Sequence, residues 1–92
     1  MAWMLIEDSF PSPYGGVAVT GRPHDGDLTR GDQLWLTDGT TRHPVTIARV
    51  LHMCGRRPRD VAPAGLNAAF ELTGAPPGLT LTGLRLLLGD TA

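Results

Sequence analysis

The chain has 92 residues, a hydrophobic content of 41% and a formal net charge of −1. This length supports one domain with one compact core, so we expect a single β-rich unit over residues 1–92, and the hydrophobic content excludes a disordered chain. Eight basic residues, all arginine, face nine acidic ones, which excludes a strongly basic nucleic-acid binder but leaves room for a local patch. The single cysteine, Cys54, excludes an intramolecular disulfide.

The N-terminal segment does not have the pattern of a secretory signal. It carries no basic residue before its short apolar run and reaches Glu7 and Asp8 after six residues. The leucine-rich stretch 84–88 is far too short to span a bilayer. We therefore expect a cytoplasmic protein with no membrane partner.

Short apolar alternations punctuated by turn residues recur along the chain, which is typical of strands. In chain order, the predicted strands are 16–21, 33–37, 44–51, 67–73 and 84–88. The alternation slips at Ala48-Arg49, which predicts a bulge or a sharp bend, and Asp38-Gly39 predicts a tight turn. A helix over 79–88 is the alternative for the last strand, but its threonines and central glycine favour the strand. Roughly six short antiparallel strands predict an all-β fold that closes into a small barrel.

Five motifs in register give the chain a resemblance to a known family. In order they are Ile6-Glu7-Asp8-Ser9-Phe10, Gly16-Val17-Ala18-Val19-Thr20-Gly21-Arg22, Leu28-Thr29-Arg30-Gly31-Asp32-Gln33-Leu34, Ala64-Gly65-Leu66-Asn67-Ala68-Ala69-Phe70-Glu71-Leu72-Thr73-Gly74 and Thr82-Gly83-Leu84-Arg85-Leu86. They resemble "IEDVF", "GTVVTGR", "VGEEV", "AGDNVGVLLRG" and "RGQVL" in the second domain of elongation factor Tu and its relatives. The resemblance covers about residues 4–89 and implies a closed barrel of six or seven antiparallel strands.

The glycines within these motifs have physical roles that we can predict. Gly21 permits a sharp bend of its strand at a barrel corner. Gly65, shortly before Asn67, lets the backbone approach a neighbouring strand closely.

The resemblance is to a barrel domain and not to a GTPase domain, so we expect neither catalysis nor a cofactor. The stretch 16–22 spaces its glycines like a phosphate loop but lacks the lysine and hydroxyl residue that should follow. Neither serine lies in a nucleophile elbow. His52 and Cys54 would share one face of a strand, yet two ligands do not make a metal site, and an ordinary half-buried cysteine explains the spacing.

The resemblance implies a ligand cleft built from Glu7, Asp8, Phe10 and Asn67. In elongation factor Tu, the matching positions help to form the cleft that receives the aminoacyl end of transfer RNA. An alternative interpretation makes the two acids exposed strand ends, the phenylalanine a core residue and the asparagine a bend residue. Leu51 stands where the family places an acid in the wall of the terminal-adenine pocket, which leaves base recognition in doubt.

Two further groups are candidates for contact with a partner. Positive charge concentrates in a loop that contains Arg56, Arg57 and Arg59, which could meet an RNA backbone or an acidic partner, or could be a solvated loop. We expect Trp3, Trp35 and Leu87 to fall on the outward faces of their strands. If they are contiguous, they form an apolar interface; scattered singly, they would mean little.

We therefore expect a stand-alone, non-catalytic binding module that recognises a protein or ribonucleoprotein surface. Translational GTPases use this barrel to meet transfer RNA, the ribosome and neighbouring domains. The alternative is an assembly module unrelated to translation, with a homodimer formed through Trp3 and Trp35. The net charge and the replaced acid favour that alternative over direct RNA binding.

Overall fold

The computed structural model describes residues 2–12, 14–51 and 60–88. Its strands are β1 (Trp3–Leu5), β2 (Asp8–Pro11), β3 (Val17–Gly21), β4 (Leu28–Thr29), β5 (Gln33–Thr37), β6 (Arg42–Leu51), β7 (Val61–Ala62), β8 (Ala68–Thr73) and β9 (Arg85–Leu88). Every regular element in these ranges is a strand, which confirms the all-β prediction and the choice of a strand over a helix at the C-terminal end. Within the same ranges, no helix has the length and apolarity to cross a membrane.

Seven strands form one antiparallel sheet in the order β1-β9-β5-β6-β8-β3-β2, while β4 and β7 pair separately. The sheet curls into a half-barrel whose edge strands, β1 and β2, are consecutive in the chain. Only Ile6 and Glu7 separate them, and their amides donate to the carbonyls of Leu84 and Thr20, each at 2.8 Å. The predicted antiparallel sheet is confirmed; its complete closure into a barrel stays a prediction.

The core lies inside the curl and is built by alternate residues of the long strands. Alternating apolar residues of β6, β8 and β9, such as Val45 and Ile47 of β6, face inward, as the period of a strand requires. The largest fully buried side chains there are Ile47, Phe70, Leu72 and Leu86. Each such side chain contributes about 1.5–3 kcal/mol by leaving water.

The predicted bulge is also confirmed, and it explains an irregular spacing. The pairing of β6 with β8 shifts register between Ile47 and Arg49. Ile47 and Val50 are both buried although they are three positions apart, whereas two residues on one face of a regular strand are an even number of positions apart. The extra residue thus directs Arg49 to the outer face.

Two glycines have roles that differ from those predicted. Gly21 ends β3 at a close approach, where a β-carbon would collide with the carbonyl oxygen of Leu5 and lie 2.9 Å from Cγ of Met4. Gly65 was expected to permit a close approach; its amide does donate to the Pro23 carbonyl at 2.8 Å, but a β-carbon there would meet no atom within 4 Å, so the approach does not require glycine. Its φ of +85° places it in the left-handed region, so it serves a turn instead.

The turn between β5 and β6 is held by Asp38. One carboxylate oxygen accepts hydrogen bonds from the amides of Thr40 and Thr41 at 2.8 and 2.9 Å. The Thr41 amide, followed by the Thr40 amide, lowers the pKa of Asp38, because both bonds favour the ionised carboxylate.

We expect this turn to make the stability of the protein depend on pH. Because the folded-state pKa of Asp38 lies below the unfolded value of about 3.9, its contribution is complete above that value and is lost as pH falls through the folded pKa. Carbon-detected NMR titration should give a pKa below 3.9 for this carboxyl group. Asp38→Asn should lower the free energy of unfolding at neutral pH and lower it less near pH 2. The same difference in free energy of unfolding at both pH values would contradict this.

Candidate functional site

Asp8 and Phe10 lie on the outer face of β2. They pair with Thr20 and Ala18 of β3, whereas the intervening residue, Ser9, pairs with the inward-facing Val19. The Phe10 side chain is 41% exposed. Its interpretation as a core residue is therefore wrong, and an exposed aromatic ring stands at the edge of the sheet.

The other two predicted cleft residues flank this edge. Glu7 is exposed and lies in the link between β1 and β2, directly before Asp8. Asn67 is exposed and directly precedes β8, which is separated from β2 by β3. The fold thus groups Glu7, Asp8 and Phe10 on one edge, with Asn67 two strands away.

Beside this edge, an unpredicted group of side chains covers the outer face of β8. Glu71 points outward but is buried, with only 6% of its side chain exposed. Its Oε1 accepts a hydrogen bond from Nε of Arg49 at 2.8 Å. The Arg49 guanidinium carbon lies 4.2 Å from the centre of the Tyr14 ring, which reaches over from the β2–β3 turn. We call Tyr14, Arg49 and Glu71 the outer cluster.

The burial of Glu71 depends on tight packing above it. A β-carbon on Gly16 would lie 2.9 Å from the other carboxylate oxygen of Glu71. The alternation of β8 predicts that Glu71 faces outward, but it carries no signal that a neighbouring turn covers this position. The outer cluster therefore fixes the β2–β3 turn, and with it Phe10, against the sheet.

Removing the positive partner of the outer cluster should destabilise the fold. We expect Arg49→Leu to lower the free energy of unfolding by about 1–3 kcal/mol, because it leaves a buried carboxylate without its charged donor. Arg49 itself is 52% exposed, so solvent screening holds the effect toward the lower end of that range. Urea denaturation measures it. The double variant Arg49→Met/Glu71→Leu should recover most of the loss; a double variant less stable than the single one would contradict this assignment.

The three residues predicted to form an apolar interface are neighbours. Leu87 of β9 pairs with Trp3 of β1 on one side and with Trp35 of β5 on the other. The Trp3 ring stacks on His24, with ring centres 4.4 Å apart, and its indole N–H donates to Asp25 at 3.1 Å. The sequence placed these residues on outward faces; only strand pairing placed them side by side.

Some predicted positions lie outside the described residues. They are Arg56, Arg57 and Arg59 of the basic loop and the pair His52 and Cys54. Within the described ranges, no group of three or more histidine, cysteine, aspartate or glutamate side chains could hold a metal ion.

Comparison with known proteins finds similarity to translation factors both in sequence and in structure. In sequence, the chain is similar to elongation factor 2 of Desulfurococcus mucosus, with 32% identity over 85 residues, which cover 89% of this chain and 11% of that protein. In structure, it is similar to translation elongation factor SelB of Methanococcus maripaludis in its apo form. That match has a TM-score of 0.79 and 21% identity, and covers 98% of this chain and 18% of the other. No protein-family model matches.

The chain therefore spans between 11% and 18% of the length of these two translation factors. The structural match to SelB supports the assignment of the fold. The sequence match to elongation factor 2 supports the resemblance to translation factors that the sequence motifs indicated. The resemblance inferred from the motifs is confirmed: the chain resembles, in sequence and in fold, a β-barrel domain of translation factors.

Proposed function

We propose that this chain is a non-catalytic, cytoplasmic binding module that docks on a protein or ribonucleoprotein surface. The observation that carries the proposal is the likeness to translation factors over 98% of the chain in structure and 89% in sequence. The matched region is a small part of each relative, so the proposal concerns recognition and not the activity of the whole factor. The proposal also includes closure of the barrel through the link between β1 and β2.

The binding cleft that we propose lies at the β2 edge. Phe10 offers an exposed aromatic face, on which an apolar group or a base can stack. Glu7 and Asp8 add exposed carboxylates beside it, which can accept hydrogen bonds from amino or hydroxyl groups of a ligand. Asn67 would complete the far wall of the cleft across β3.

Binding to charged transfer RNA and to ribosomes, measured at two salt concentrations, tests this proposal. We expect affinity that falls with salt through phosphate contacts of Arg56, Arg57 and Arg59, because the cleft itself presents carboxylates. Asp8→Asn combined with Phe10→Ala should weaken binding about tenfold or more, because an aromatic anchor and a polar contact are lost together. Leu79→Ala removes another exposed apolar side chain, which is not one of the proposed cleft residues, and should leave affinity unchanged.

Absence of measurable, salt-sensitive binding would remove the RNA part of the proposal. Equal losses in the cleft variant and in Leu79→Ala would remove the assignment of the cleft. Sedimentation at high protein concentration distinguishes the alternative, a self-assembling module, because a strict monomer argues against assembly through Trp3 and Trp35.

A further inference from the structure

The outer face of β1, β9, β5 and β6 presents two rows of side chains. The first row crosses the four strands in register and is apolar: it consists of Trp3, Leu87, Trp35 and Pro44. The second row lies two residues further along each strand and consists of Leu5, Arg85, Thr37 and Arg42. Rows on one face are about 7 Å apart along the strands. We call these two rows the aromatic–arginine face.

The arginine row borders a groove of about 400 Å³. Arg42 and Arg85 line it on either side of Thr37, together with the β5–β6 turn and Leu87 of the apolar row. One strand, β5, lies between the backbones of these arginines, so two interstrand spacings place them about 10 Å apart. Arginine side chains are long enough to bring both guanidinium groups to one anionic group above Thr37.

The same face carries aromatic rings next to this positive charge. The Arg85 guanidinium carbon lies 5.8 Å from the centre of the Trp3 ring. Two acids lie at this face: Asp38 lines the groove and accepts hydrogen bonds from the amides of its own turn, and Asp25 accepts one from the Trp3 indole. Aromatic rings on a sheet face beside cationic side chains bind single strands, in which bases stack and phosphates pair with arginine.

We propose that the aromatic–arginine face binds a single-stranded nucleic acid, with its phosphates at Arg42 and Arg85 and a base against Trp35. This site lies on β1, β9, β5 and β6, whereas the cleft of the proposed function lies at the β2 edge; the two adjoin where Leu5 stands two residues before Glu7, but Arg42, Arg85 and Trp35 belong to this face alone. A second copy of the chain fits this face poorly. A two-fold contact centred on it would bring the arginine rows of both copies close together.

The test uses oligoadenylate and oligouridylate of about 12 nucleotides, which have no aminoacyl end. Fluorescence anisotropy at about 50 and 200 mM salt gives the affinity and its salt slope. The double variant Arg42→Gln/Arg85→Gln should weaken oligonucleotide binding about tenfold or more. It should also make the slope of log K against log salt less steep by about 1.4, because each phosphate contact with a single strand contributes about 0.7. Arg30→Gln, an exposed arginine outside this face, is the matched control and should change affinity by less than about twofold.

A second readout reports the base. In Trp3→Phe, Trp35 is the sole remaining tryptophan, and its fluorescence should be quenched on addition of either oligonucleotide, because base stacking places a ring against the indole. The double variant Arg42→Lys/Arg85→Lys keeps the positive charges but lacks the planar, bidentate donor geometry of guanidinium. It should recover part of the affinity and the original salt slope. Circular dichroism melting of every variant shows whether the fold is intact.

Three outcomes would overturn the inference: no oligonucleotide binding at low salt, equal losses in the glutamine pair and in Arg30→Gln, or binding of a polyglutamate peptide in preference to either oligonucleotide. The last would identify an acidic protein as the partner. Loss of oligonucleotide binding with retained binding of charged transfer RNA would refute this face alone, whereas the reverse would refute the cleft alone.

Discussion

Phe70→Ala should lower the free energy of unfolding by about 3–5 kcal/mol. Phe70 is completely buried in β8, the strand that pairs with both β3 and β6. Removing its ring costs the transfer of that apolar surface and leaves a cavity that the surrounding strands cannot fill. A domain of this size has a total stability of only about 5–14 kcal/mol. We therefore expect a large decrease in the midpoint of urea denaturation, with unfolding at moderate temperature.

The chain supplies a matched control, because its only other phenylalanine, Phe10, lies on the outer face. Phe10→Ala deletes the same atoms from a side chain that is 41% exposed and should cost less than about 1 kcal/mol. Similar losses in the two variants would mean that Phe10 also belongs to the core, and would remove it from the proposed cleft.

Gly21→Ala should destabilise the protein by about 3 kcal/mol, from overpacking at a position where the backbones nearly touch. The added methyl group would collide with the carbonyl oxygen of Leu5 and crowd Met4, which is itself completely buried. Because the main obstacle is backbone, relief requires movement of β1 away from β3. Such movement would also disturb the pairing of Trp3 with His24. Thermal and urea denaturation measure the loss.

Gly78→Ala separates this steric effect from backbone strain. Gly78 has a φ of +80° and no atom near the position of a β-carbon, so alanine there meets only the conformational cost of about 1–2 kcal/mol. We expect the loss at Gly21 to exceed the loss at Gly78. If the order is reversed, β1 can shift at little cost, and the close approach does not constrain the sheet edge.

The strands and their inward faces follow from the sequence because alternation is a local property. In β5, Leu34 and Leu36 must share a face whatever their neighbours are, and both are buried. The bulge between Ile47 and Arg49 could be predicted for the same reason, because it interrupts the alternation of the strand. The strands β1, β2, β4 and β7 were not predicted, because each has only two to four residues, too few to show a period.

The candidate sites depend on contacts between residues that are distant in the chain, which no local sequence pattern can predict. The outward position of Trp35 was predicted, and an outward Phe10 was one of two interpretations. The contact of Glu71 with Arg49, in contrast, joins residues 22 positions apart and requires the pairing of β6 with β8. The burial of that carboxylate depends further on the β2–β3 turn, which folds over it.

The sequence alone was sufficient to predict the all-β class, the positions of the long strands and the residues that face the core. Its motifs also indicated the resemblance to translation factors. Only the tertiary structure decided which strands are neighbours, and so placed Trp3 beside Leu87 and set Arg42 and Arg85 on either side of Thr37. The physical reason is that the side-chain period is set within one strand, whereas lateral order is set by hydrogen bonds and packing between segments distant in the chain.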